Sequence, residues 1–99
     1  VKTQHIIREL EEAARQLGWA VRTERGSFQG GRCIVNGEPL IMLNRYHPPE
    51  RHLAVLAESL RDLPVDTVYL KPAVRAALEA AWRDRDRAAA GVEAEVEDE

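Results

Sequence analysis

The sequence has one cysteine, Cys33, so no disulfide closes within the chain and a structural zinc site built from several thiolates is excluded. A reducing compartment suits it. Long apolar runs are missing as well. Leu40-Ile41-Met42-Leu43 has the length of a buried strand, far short of the ~20 residues that carry a helix across a bilayer, and no membrane partner is expected. From Val1 to Arg8 the chain carries charge where a secretory signal would need an apolar core, which points to a cytoplasmic protein. Aromatics amount to two Trp, two Tyr and one Phe, few for a surface that stacks bases. Excess positive charge is lacking too. The formal net charge is −3, and the last nine residues hold Glu93, Glu95, Glu97, Asp98 and Glu99 with no base. Ahead of them 14 bases face 12 acids, a balance that makes nucleic acid an unfavoured partner.

What is present is a folded-domain composition, 44% hydrophobic and 31% charged over 99 residues, room for one domain and no second. Ile6, Ile7, Leu10, Ala13, Ala14 and Leu17 recur at helical spacing, and Gly18 supplies a left-handed stop. Trp19, Val21 and Thr23 alternate with Ala20, Arg22 and Glu24, the pattern of a strand with one buried face. After the glycine-rich stretch 26–31, the apolar runs 32–35 and 40–43 flank Asn36-Gly37, a strong two-residue hairpin signal. Pro48 and Pro49 open a second helix along Leu53, Leu56, Ala57, Leu60 and Leu63, which Pro64 ends. Residues 66–70 read as a short extended piece, and Pro72 opens a third helix through Val74, Ala77, Leu78, Ala81 and Trp82.

The fold class expected is therefore α+β in the order α-β-β-β-α-(β)-α, a three-stranded, mainly antiparallel sheet with helices packed on it. Residues 1–84 form the single domain, and 85–99, mixed in charge and then acidic, are expected as a disordered tail. The strands 33–35 and 40–43 are apolar on both faces, too much for a sheet wetted on one side. Either the third helix covers the second face or another copy of the chain does, and a homodimer is the favoured expectation.

Four constellations could carry chemistry. His5, His47, His52 and Cys33 are the soft or imidazole ligands, but His47 and His52, five apart across a double proline, do not share a helix face as metal ligands at i, i+4 do. Glu58 and Asp62 are i, i+4 and could hold a hard cation or act as acid and base, if enclosed with a third ligand. Cys33 in an Ile-Val strand reads as a small apolar residue with an inert thiol, and Ser27 lacks a nucleophile elbow. Arg25 and Arg32 flank the glycine-rich stretch, yet a strand follows it where a phosphate loop needs a helix. With Arg22 and Arg45 they make the one candidate surface for an anion or a single-stranded nucleic acid.

The order Leu40-Ile41-Met42-Leu43-Asn44, Pro48-Pro49-Glu50-Arg51, then Leu53-Ala54-Val55-Leu56-Ala57-Glu58-Ser59-Leu60 resembles the core of the small zinc metallopeptidases of the ImmA/IrrE type. In that family a strand ending in Asn precedes a linker and a helix bearing His-Glu-x-x-His. The matching positions here are Glu58-Ser59-Leu60-Arg61-Asp62. What the resemblance, over residues 32–64, implies is a degenerate relative that keeps the scaffold and has lost peptidase chemistry and its cofactor, with Glu58 and Asp62 as relics of the metal face.

The function expected is a non-catalytic interaction or accessory domain of a small bacterial protein, with no cofactor and an unnamed protein partner. The alternatives are a metal-dependent hydrolase remnant on Glu58 and Asp62, with His47 and His52 as further ligands, and a binder of anions or single strands on Arg22, Arg25, Arg32 and Arg45.

Overall fold

A computed structural model describes the backbone of residues 2–97 and the side chains of residues 2–91. Helix α1 (Thr3–Gln16) leads into strands β1 (Ala20–Glu24), β2 (Gly31–Val35) and β3 (Glu38–Asn44). Helix α2 (Pro49–Leu60), a single 3-10 turn (Val65–Thr67) and helix α3 (Pro72–Glu97) complete the chain. The α+β class is as expected, and the order of its elements matches except for the short strand expected before the last helix. No helix among the described residues is long and apolar enough to cross a membrane.

The sheet and the segment after α2 differ from expectation. The sheet is mixed, not mainly antiparallel, because its order is β1-β3-β2 and β1 runs parallel to β3. The Asn36-Gly37 turn closes β2 and β3 as an antiparallel hairpin, with φ of 52° and 82° at the two turn residues. Both values are the positive φ that such a turn requires. β3, the most apolar strand, then takes the centre, and the six residues from Arg25 to Gly30 let the chain pass its end to reach the far edge. The extended piece at 66–70 is instead a 3-10 turn followed by irregular chain. Thr67 Oγ1–H donates to Pro64 O at 2.6 Å and closes the turn, a local side-chain bond that competes with extended backbone.

α1 stops as its sequence suggests. Gly18 sits at φ 91°, its N–H bonds Arg15 O, and Trp19 N–H reaches back to Ala14 O, the paired bonds of a Schellman cap. The core lies between helices and sheet: Ile6, Ile7, Leu10 and Ala14 of α1 meet Ile41 and Leu43 of β3, Leu56, Ala57 and Leu60 of α2, and Val74 and Leu78 of α3. Each fully buried leucine stabilises the fold by ~2–3 kcal/mol. α3 packs on α2 and α1 within the helix layer, so the alternative in which the third helix covers the second sheet face is not realised. It also continues as helix to Glu97, through residues 85–97 assigned above to the tail. Asp98 and Glu99 lie outside the described residues.

Register partners share a face of the sheet. Val21, Ile41 and Arg32 stand side by side on the helix face, and Ala20, Leu40 and Cys33 on the other.

Candidate functional site

The chain crosses over the end of β3, and Asn44 is the residue that holds it there. Asn44 is 3% exposed. Its Nδ2 donates to Gly26 O and Phe28 O, both at 2.8 Å, and its Oδ1 accepts from Tyr46 N–H at 3.0 Å. Asn44 O in turn accepts from His47 N–H at 3.0 Å and lies 2.6 Å from His52 Nε2. A carbonyl can only accept, so this contact places the ring proton of His52 on Nε2. Gly30 completes the crossing, at φ 92° with the space for a Cβ only 2.7 Å from Met42 O.

Beyond the crossing the chain enters β2, which is an open edge. The two-residue turn makes Val35 and Glu38 a hydrogen-bonded pair, so Gly31, Cys33 and Val35 use their N–H and C=O groups on β3. Arg32 and Ile34 direct theirs away from the sheet. Beside this edge runs a groove of ~910 Å³, walled by Gln29 to Arg32, floored by Ala54, Val55 and Ala57 of α2, and closed on the far side by Ala77, Ala80 and Ala81 of α3. Two of the arginines around it are engaged. Arg32 pairs with Asp62 at 3.2 Å and lies 5.5 Å over the ring of Trp19, and Arg51 donates to Gln29 Oε1 at 3.2 Å. Ile34 projects from the same face of β2 as Arg32 and is 62% exposed.

The opposite edge of the sheet differs. β1 carries Arg22 and Glu24, paired at 3.4 Å on the face away from the helices. Charges of this kind on an edge discourage a further strand from pairing. β2 has no such protection, because its one charged side chain is drawn inward by Asp62 and Trp19.

The four arginines of the sequence analysis do not share a surface. Arg25 and Arg45 line one polar notch with Thr23 and Glu24 at the end of β1, Arg22 stands on the outer face, and Arg32 lies on the helix face. The metal candidates divide as well. Glu58 and Asp62 line the groove near the end of α2, and His52 is held at the start of that helix by Asn44 O. His47 Nδ1 is buried with no hydrogen-bond partner. Among the described residues no group of three or more His, Cys, Asp or Glu side chains could hold a metal ion. The helical argument for pairing Glu58 with Asp62 fails locally, since α2 ends at Leu60 and Asp62 turns to Arg32. Ser59 is 5% exposed.

The chain matches no family model, no curated protein and no solved structure.

The far wall of the groove is clamped in place. Arg61 donates to both carboxylate oxygens of Asp86 at 2.7 Å, and its guanidinium lies 5.9 Å from the ring of Trp82. Trp82 Nε1–H donates to Ala57 O at 2.6 Å. The hydrogen bonds from Arg61 hold the Asp86 carboxyl below the usual aspartate range. A depressed folded-state pKa adds stability that is present above the ordinary aspartate value and lost as pH falls through the lowered one. Thermal melts of Asp86→Asn should therefore fall below those of the parent near neutral pH, and the difference should close in acid. A gap that stays constant with pH would mean that Asp86 adds nothing as a carboxylate.

Proposed function

We propose that this chain is a non-catalytic interaction domain that binds an extended polypeptide segment along the open edge of β2. One observation carries the reading: the outward N–H and C=O groups of Arg32 adjoin a groove with an apolar, alanine-rich floor, and those of Ile34 continue the same open edge. An added strand would complete the ladder with its backbone and set alternate side chains into the groove, the arrangement of β-strand addition. The small floor residues favour modest apolar side chains, and Glu58 on the rim favours a basic neighbour. Arg32 is tied to Asp62 and Arg51 to Gln29, which suits positioning more than chemistry.

Selection from a display library of random peptides tests this. Binders should shift the amide resonances of Arg32 and Ile34 and of α2 residues lining the groove, and Ala54→Arg should weaken them at least tenfold. Binders whose footprint falls on β1 or the Arg25–Arg45 notch would overturn the reading.

A further inference from the structure

We propose that the segment bound at this edge is β2 of a second copy of the chain, paired antiparallel about a two-fold axis, an inference that rests on the edge-binding reading above. The strand carries both halves of a self-complementary contact. In the pairing that overlaps all five residues of β2, Cys33 lies opposite the partner's Cys33, and Arg32 opposite the partner's Ile34. The backbone permits this register, and a shift by two residues would set Arg32 against the partner's Arg32, or Ile34 against the partner's Ile34, and leave two residues of β2 unpaired. Arg32 and Ile34 are the residues with free outward groups, so they form the hydrogen-bonded pairs, and the central cysteines form the closer, non-hydrogen-bonded pair.

The side chains agree with the backbone. Ile34 is 62% exposed and stands on the helix face, the face on which the groove opens. Opposite Arg32, the partner's Ile34 would point into the space walled by residues 29–32 and floored by Ala54 and Ala57. By symmetry each copy supplies one isoleucine and receives one. Charge does not oppose the contact, because Asp62 of the same chain neutralises each Arg32 at 3.2 Å. Val35, 42% exposed on the outer face, would lie opposite the partner's Gly31, which has no side chain to clash with it.

The extent of the contact sets its strength. Five paired residues span ~17 Å, and with one isoleucine per groove they bury less than the ~800 Å² per partner of a stable complex. The dimer is thus transient, with a dissociation constant of roughly 10–100 micromolar.

Sedimentation of the full chain across that concentration range should show a mass rising from monomer towards dimer. Ile34→Lys places a charge in the groove and should weaken association at least tenfold while leaving the melting temperature unchanged, since the side chain is exposed. Ala54→Arg should do the same from the opposite side. Diamide, which takes up two electrons and two protons as two thiols become one disulfide, should link the copies through Cys33 in the parent and much less in Ile34→Lys. A dimer indifferent to both substitutions, or one that diamide does not link, would overturn this pairing. A monomer throughout would remove the second copy as occupant but leave edge binding standing if selected peptides still shift the Arg32 and Ile34 amides; without those shifts both readings fail.

Discussion

Asn44→Ala should lower the unfolding free energy by ~2–4 kcal/mol in chemical denaturation, because it leaves Gly26 O, Phe28 O and Tyr46 N–H without their shared partner. Asn44→Asp is the sharper variant. It keeps the shape and the acceptor for Tyr46 N–H but turns the two-proton donor into an acceptor facing two carbonyl oxygens. It should be at least as damaging as alanine near neutral pH and recover partly in acid, where the protonated carboxyl can donate once. If Asn44→Ala cost less than ~0.5 kcal/mol, the crossing would not depend on the side chain.

Gly30→Ala should be comparably costly, ~2–4 kcal/mol, through two effects that act together. The residue sits at φ 92°, and a Cβ there would lie 2.7 Å from Met42 O, a backbone atom that cannot swing aside. Gly37→Ala separates the effects: φ is 82° but the Cβ would meet open space, so only the ~1–2 kcal/mol of left-handed backbone strain remains. Equal losses at the two positions would show that the close approach to β3 does not matter.

Local features of this fold were legible in the sequence, and long-range ones were not. The cap at Gly18 and the Asn36-Gly37 hairpin are settled by residues within one turn of each other. The position of β1 is settled by which edge of β3 remains free once the hairpin forms, and the six residues from Arg25 to Gly30 fit a hairpin link or a crossing equally well. The same gap explains the arginines. Arg22 and Arg32 are both strand residues, but Arg22 pairs with Met42 and Arg32 with Ile41, adjacent positions that face opposite ways. Only register separates them. Arg25 and Arg45 do meet, because parallel strands end on the same side. Asn44 stood out as the last residue of a strand. Its hold on Gly26 and Phe28 depends on a loop 16 to 18 residues earlier in the chain, which no local pattern announces. Asp62 was misplaced for a simpler reason, the helix stopping two residues short of it.

The central strand is the last of the three to be made. As the chain leaves the ribosome, α1, β1 and the loop after it emerge with no strand to pair with, since within the sheet β1 and β2 each pair only with β3. No ladder can form until residues 38–44 are out. The β2–β3 hairpin can close on its own, after which β1 must find the one edge still open while its loop is drawn across the strand end. Synthesis stopped anywhere before Glu38 thus yields a chain with two would-be strands and no sheet, its apolar helix face unburied. The interval between β1 and β3 is when this protein is most exposed to aggregation.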